Sequence, residues 1–196
     1  PKKNFDIKIE PSYKIYNFPK KYKNEKGKLI HNQNLGKITS KNSFEIVDLF
    51  IKKLISKKII KKTIKYNYYI KREKNIKNKF KNRLVHEEEK LIKYLKNKNF
   101  KIISFENKNI KDQIEIILNS NVIIGIHGAN LTNTVFKEKG GSVIELFPFD
   151  STRDGCHYEY IAEQRKLKYF RVNCKENNNG ILINYSELSK VLKKAL

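Results

Sequence analysis

Hydrophobic positions along this chain recur with a helical period in several separate segments. In residues 43–63 they return every three to four positions, which predicts an amphipathic helix. Residues 109–119 form a second predicted helix, with Asn109 as its N-cap and Asp112 in its first turn. Ser186 is the predicted cap of a helix that closes the sequence at 186–196. The same period predicts further helices at 87–97, from about 130 to 137, and at 156–166.

Short runs of β-branched, aromatic and aliphatic residues lie between these helices and predict strands. The runs are nearly continuous, which is typical of strands buried on both faces of a parallel sheet. Strands that alternate with helices favour an α/β fold, here a doubly wound parallel sheet with helices on both faces. We expect residues 43–196 to form this domain and residues 1–42, which show no sustained period, to form a lead-in or linker. The predicted strands are 66–71, 100–105, 122–126, 142–147 and 168–172.

Charge is the most unusual feature of the composition. The 196 residues include 43 Lys and Arg against 20 Asp and Glu, a net charge of +23. Only five of the basic residues are Arg, and the abundance of Lys, Asn and Ile is what AT-rich codons would encode. Nucleic-acid binders more often use Arg and aromatic residues placed for stacking. We therefore expect a solvated basic surface and no nucleic-acid partner, with a basic nucleic-acid-binding module as the remaining alternative.

The composition and the spacing of residues disfavour several classes of protein. The longest uncharged run, 116–136, contains Asn, His and Gly, so it predicts no membrane span. Cys156 and Cys174 are too few for a disulfide framework or a Cys-rich zinc module. The four His show no metal-ligand spacing, and no Asp-x-Asp pair is present to hold a divalent cation. We expect no metal, so any bound diphosphate would be neutralised by backbone amides and by Arg or Lys.

The strongest local candidate for a site is the glycine-rich turn after the predicted strand 122–126. Gly125 and Gly128 permit a tight turn, and a helix is predicted to begin near Asn130, where unpaired amides would face an anion. His127 lies at the junction of strand and helix, where a side chain can reach a ligand. The alternative, a glycine turn that only packs a helix closely against the sheet, is equally compatible with the spacing.

Three charged residues are candidates to complete this site. Arg72 and Arg83 flank the loop after the strand 66–71, at the edge of the sheet where ligands of α/β proteins bind. Glu145 lies within an apolar strand, where a buried carboxylate needs a partner. That partner is either a pair of ribose hydroxyls or another group of the protein.

Two segments together carry a resemblance to a known family. Ile-Gly-Ile-His-Gly-Ala-Asn-Leu-Thr-Asn at 124–133 and Gly-Ser-Val-Ile-Glu-Leu-Phe-Pro at 141–148 resemble the signature of glycosyltransferase family 61. Upstream, Tyr-Ile-Lys-Arg at 69–72 and Arg-Leu-Val-His-Glu at 83–87 resemble the family's Arg-containing elements. The resemblance extends in order over about residues 44–173.

The resemblance implies a two-lobed enzyme of the GT-B type, of which residues 43–196 would be the Rossmann-like lobe that binds a nucleotide sugar. Such an enzyme would be inverting and independent of metal, moving a sugar such as GlcNAc, xylose or arabinose from a UDP-sugar to a glycan or protein hydroxyl. Arg72 and Arg83 would contact the donor diphosphate, and Glu145 would lie near the nucleoside. No catalytic base is assigned, since it commonly comes from the other lobe. The diphosphate cradle would be formed by His127, Gly128, Ala129, Asn130 and Leu131.

The sequence also departs from the family pattern. Asn130 stands where a second Gly is usual, and His86 replaces an Asn before Glu87. An inactive or partial nucleotide-binding lobe is therefore the main alternative to an active transferase. The compartment is open: the resemblance implies the secretory pathway for a eukaryotic protein and the cytoplasm otherwise.

Overall fold

The computed structural model of the protein describes residues 41–72, 84–148 and 157–196, which form a mixed α/β unit. Helices and strands alternate along most of it, as the hydrophobic pattern predicts. In chain order the elements are α1 (Lys41–Ser56), β1 (Tyr66–Lys71), α2 (Glu88–Lys96), β2 (Phe100–Ser104), α3 (Ile110–Leu118), β3 (Ser120–Ile126), a 3₁₀ helix (Ala129–Phe136), β4 (Ser142–Pro148), α4 (His157–Gln164), β5 (Lys168–Asn177), β6 (Gly180–Leu182) and α5 (Tyr185–Ala195).

The strands form one sheet in the order β2-β1-β3-β4-β5-β6. The first five are parallel, and β6 is antiparallel to β5. The strand order reverses at β1, which has β2 on one side and β3 on the other. In open α/β sheets a crevice forms at such a reversal, beyond the carboxyl ends of the two strands. The residues that follow β1 and β3 therefore share this position.

Both faces of the sheet are covered by helices. Alternate strand residues such as Ile124 and Ile144 pack with α2 and α5 in one apolar cluster, and Ile123 and Val143 pack with α1, α4 and the 3₁₀ helix in another. The prediction of an α/β fold with a mainly parallel, two-sided sheet is confirmed.

Several boundaries differ from those predicted, and three of the differences involve a helix end, a new hairpin and a helix cap. Helix α1 ends at Ser56 rather than near residue 63, because Lys58 adopts a left-handed conformation (φ 56°) that closes the helix. Strand β5 continues to Asn177 and turns into β6, a hairpin that was not predicted. The cap of α5 is Asn184 rather than Ser186, and its side chain accepts a hydrogen bond from the Glu187 amide at 3.1 Å.

A buried polar cluster closes the amino-terminal edge of the sheet. The Lys137 ammonium donates to the Ser120 carbonyl oxygen and, at 3.1 Å, to the Ser120 hydroxyl. Arg165 donates from Nε to the Lys137 carbonyl at 2.9 Å and pairs with Asp48 at 2.6 Å. These contacts attach the end of the 3₁₀ helix to the start of β3 and to α1.

A separate contact fixes α5 at the same edge. The buried Ser142 hydroxyl, at the start of β4, donates to the Ala195 carbonyl oxygen at 2.9 Å. The last turn of α5 is therefore attached to the sheet by a hydrogen bond as well as by apolar packing.

The predicted lead-in, residues 1–42, lies almost wholly outside the described residues, and its boundary with the domain stays a prediction. Among the helices that the structure describes, none combines the length and the apolar character needed to cross a membrane.

Candidate functional site

Arg72 and Gly128 meet where β1 and β3 end. Arg72 directly follows β1, and its guanidinium lies so close to Gly128 that a Cβ added there would be 2.0 Å from Nη2. Gly128 also has φ 147° and ψ 179°, a region that only glycine adopts readily. Glycine is thus required here twice, by the backbone turn and by the approach of the arginine.

The helix predicted from about residue 130 is a 3₁₀ helix that begins at Ala129. The Leu131 amide donates to the Gly128 carbonyl oxygen at 2.9 Å, and the Leu131 side chain is fully buried. A Cβ on Gly125 would lie 2.8 Å from Leu131 Cδ2, so this glycine allows the helix to approach the sheet closely. Leu131 therefore packs the 3₁₀ helix against the sheet at Gly125. Ala129 is exposed and Asn130 is half-buried.

His127 and Glu145 form a buried pair beside the turn. His127 Nδ1 contacts Oε1 of Glu145, whose side chain is completely buried. The second carboxylate oxygen, Oε2, accepts a hydrogen bond from the Tyr169 hydroxyl. Both oxygens of Glu145 thus have partners within the protein, the second of the two alternatives that the sequence leaves open. A role of Glu145 near a nucleoside stays a prediction.

Tyr169 and Arg171, which were not predicted as site residues from the sequence, extend this chain of polar contacts. Arg171 Nε donates to the Tyr169 oxygen at 3.4 Å, and its guanidinium lies 4.4 Å from the ring centroid of Phe147. Burial, followed by the nearby Glu145 charge, raises the pKa of Tyr169, so the phenol stays protonated. The sequence does show that Tyr169 and Arg171 are two positions apart, so that both lie on one face of strand β5. That this face lies beside Glu145 depends on the pairing of β4 with β5, which the spacing does not reveal.

Aromatic rings fix the position of the His127 imidazole. The ring centroids of Phe147 and Tyr158 lie 5.1 and 5.4 Å from that of His127, both close to edge-on. His157 is adjacent and half-buried, and burial, followed by electrostatic repulsion between the two imidazoles when both are protonated, lowers the pKa of His157. His127 is thus held by packing on two sides and by a carboxylate at Nδ1.

Arg83 lies outside the described residues, so its contact with a ligand stays a prediction. The next residue, Leu84, accepts a hydrogen bond from the Ile181 amide at 2.8 Å, and the His86 amide donates to the Ile181 carbonyl at 2.9 Å. Ile181 belongs to β6. The last residue of β4 pairs with Cys174 of β5, and β6 pairs with the residues of β5 that follow Cys174, beyond the carboxyl end of β4. Leu84 therefore lies at the carboxyl edge of the sheet, as Arg72 does.

No cluster of three or more His, Cys, Asp or Glu suited to a metal ion occurs within the described segments 41–72, 84–148 and 157–196. The charged groups placed at the turn are a guanidinium and a His–Glu pair. Together with the first amides of a helix, they form a site suited to an anion.

Comparison with known proteins gives consistent matches. A family model described as Glycosyltransferase 61 matches residues 6–144. A beta-1,2-xylosyltransferase of Oryza sativa subsp. japonica is 30% identical over 89 residues, which are 45% of this chain and 16% of that protein. The human protein O-linked-mannose beta-1,4-N-acetylglucosaminyltransferase 2 is 34% identical over 56 residues, 29% of this chain and 9% of that protein. The chain thus spans less than a fifth of the length of these relatives.

Proposed function

Because the chain belongs to the glycosyltransferase 61 family, we propose that it forms the donor-binding lobe of a two-lobed, GT-B-type glycosyltransferase. The donor is a UDP-sugar, and the sugar, such as GlcNAc, xylose or arabinose, passes to a hydroxyl of a glycan or protein. The relatives named above are xylosyl- and N-acetylglucosaminyltransferases, which supports xylose and GlcNAc among these sugars. The reaction proceeds with inversion and without a metal ion.

The main structural support is the contact of Arg72 with Gly128 at the reversal of strand order. A guanidinium presents several N–H groups in a plane and binds phosphate oxygens in pairs. Its position against the glycine turn puts this charge beside the first amides of the 3₁₀ helix. A diphosphate in the crevice would contact both.

The proposed site suits the chemistry of sugar transfer. As the bond between the sugar and UDP breaks, negative charge grows on the β-phosphate, and groups already in place stabilise that charge. In this proposal the groups are the Arg72 guanidinium and the amides of Ala129 and Asn130. The Leu131 amide is excluded from the set because it already donates to Gly128.

Calorimetric titration of the chain with UDP, in the presence of a chelator, tests the proposal. Arg72→Gln removes the guanidinium, and we expect UDP affinity to fall by about tenfold or more. Lys168→Gln is the matched control, since it also removes one positive charge but lies exposed at the start of β5, at the opposite edge of the sheet. Equal effects of the two substitutions, or no UDP binding by the wild type, would refute the proposed site.

Two alternatives give different results in the same assays. A partial or inactive lobe would bind UDP with Arg72-dependent affinity, but a longer protein that contains it would release no UDP from any of the three UDP-sugars. A basic nucleic-acid-binding module would ignore UDP and bind an RNA oligonucleotide with an affinity that falls steeply with salt.

A further inference from the structure

The hydrogen bonds around Glu145 have a fixed direction. An arginine side chain carries only donors, so the Tyr169 oxygen is the acceptor for Arg171 Nε. The Tyr169 hydroxyl then donates its own proton to Oε2 of Glu145. An ionised carboxylate has no proton to donate, so its other oxygen, Oε1, must also be an acceptor, and the partner of Oε1 is His127 Nδ1. Nδ1 is therefore the protonated nitrogen of His127.

This direction determines what the other ring nitrogen can do. With Nδ1 bonded to Glu145, Nε2 is the remaining polar atom of the ring, and the described part of the chain gives it no hydrogen bond. In the neutral ring Nε2 can only accept; after it gains a proton it becomes a charged donor. Since His127 immediately precedes Gly128, the proposed diphosphate position lies next to this residue.

The surroundings favour a cationic ring once an anion is bound. Glu145 is a completely buried carboxylate, and an opposite charge at hydrogen-bond distance stabilises it. A diphosphate adds negative charge on the other side of the imidazole. Two anions on either side of one imidazole would both stabilise a positive charge on the ring.

We propose that Arg171, Tyr169 and Glu145 are positioning residues that hold the proton of His127 on Nδ1, so that Nε2 takes up a proton from solvent when a diphosphate binds beside Gly128. The imidazolium then donates a charge-assisted hydrogen bond to a phosphate oxygen, adding a second cation to Arg72. This inference rests on the proposed function, because it requires UDP to bind at this turn.

Other titratable or charged groups lie beside His127 or beside its immediate neighbours, and their effects must be separated from those of His127. They are Arg72 after β1, Glu145 on β4, Tyr158 and His157 on α4, and Tyr169 with Arg171 on β5. His157 is the one other imidazole in this set, so it needs its own variant. Arginine stays charged at every pH of interest, and Tyr169 stays protonated because burial raises its pKa.

The test measures how many protons are taken up when UDP binds. Calorimetric titrations at several pH values between about 6.5 and 9 are run in two buffers that differ in ionisation enthalpy, so the difference in heat gives the proton count. We expect the wild type to take up about half a proton or more per UDP at the maximum of this curve. His157→Gln should give the same curve.

Glu145→Gln removes the anion that favours the imidazolium. We expect it to lower the maximum uptake by about half or more and to weaken UDP binding by about tenfold. Tyr169→Phe removes one hydroxyl while keeping the ring, so it should fold even where Glu145→Gln does not, and it should change the curve in the same direction. Thermal unfolding of each variant confirms that it is folded.

The outcomes separate this inference from the proposed function. If the wild type binds no UDP, the proposed function fails. If it binds UDP with no proton uptake, or if folded Glu145→Gln and Tyr169→Phe variants take up protons as the wild type does, the positioning role is refuted while the donor site stands. An uptake curve that His157→Gln abolishes would assign the proton to His157 and also refute it.

Discussion

The two edges of the sheet bury ionisable groups in opposite ways. At the carboxyl edge the buried charge is Glu145, and its two oxygens meet an imidazole and a phenol. At the amino edge the buried group is Lys137, which is 1% exposed and whose ammonium donates to the uncharged oxygens of Ser120. Burial, followed by the nearby Lys65 charge, lowers the pKa of Lys137 to about 7.

The difference shows which polar cluster is structural and which is suited to a ligand. At the amino edge the charged side chains are hydrogen-bonded to other parts of the protein. Lys137 donates to Ser120 at the start of β3, and Arg165 donates to the Lys137 carbonyl and to Asp48. At the carboxyl edge the hydrogen bonds that start at Arg171 lead to the His127 imidazole, whose second nitrogen has no hydrogen bond from the described residues. Burying polar groups costs free energy at both edges. Among the described residues of these two clusters, it is the one at the carboxyl edge that leaves a polar atom, Nε2 of His127, for a ligand.

We expect the largest effect from Gly141→Ala at the amino edge. Gly141 has φ 78°, and a Cβ there would lie 2.2 Å from the Asn121 carbonyl oxygen and 3.0 Å from Lys137 Nζ. Strain and a clash with rigid backbone should lower the free energy of unfolding by about 4 kcal/mol. The neighbouring Gly140→Ala is the control: its φ is 84°, but no atom of the described residues lies within 4 Å of the added Cβ, so denaturant unfolding should show a loss of only about 1 kcal/mol. Similar losses would contradict the close packing at Gly141.

A second prediction concerns the pH dependence of stability. The pKa of Lys137 is about 7 in the folded protein and 10.5 in its ordinary state, so between these values the unfolded chain binds more protons. The free energy of unfolding should therefore rise with pH from about 7 to 10.5, by roughly 2–4 kcal/mol from this residue, and stay flat in this contribution below pH 7.

Lys137→Met isolates that contribution, because it removes the charge but keeps most of the side-chain volume. Denaturant unfolding at several pH values should show a smaller rise for the variant than for the wild type. Parallel curves for the two proteins would mean that Lys137 titrates normally in the fold.

A smaller effect on stability than that of Gly141→Ala is expected from Gly128→Ala at the carboxyl edge. The new Cβ would meet the tip of the Arg72 side chain, which can move, so the loss should be about 1–3 kcal/mol from the φ of 147°. UDP binding should also weaken, by about tenfold or more, because Arg72 is displaced. A variant that binds UDP normally would show that the contact of Arg72 with Gly128 is not needed for binding.

The sequence predicted the parts of the fold in which a pattern is local. The strand 66–71 and the N-cap Asn109 both occur as expected, because buried parallel strands appear as continuous apolar runs and an N-cap acts within four residues. The position of Arg72 beside the glycine turn was also predictable, since both follow parallel strands. Residues 173–177 of β5 were missed, because most of this segment is polar and its last three residues, from Lys175 onward, pair only with the hairpin strand β6.

The partners of Glu145 could not be predicted in the same way. Its apolar strand indicates that it is buried, but Tyr169 and Arg171 become its neighbours only once β4 and β5 pair in the observed register. The engaged amide of Leu131 depends on 3₁₀ rather than α-helical geometry, which the hydrophobic pattern does not distinguish. Contacts that depend on the order and register of strands lie beyond a sequence pattern.

The hydrogen bond between Ser142 and Ala195 has a practical consequence for handling the protein. An exopeptidase that trims the chain past residue 195 would strip the sheet of an acceptor for a buried hydroxyl, a loss of about 1–3 kcal/mol. Preparations should therefore be checked by mass spectrometry for C-terminal shortening before their melting temperatures are compared.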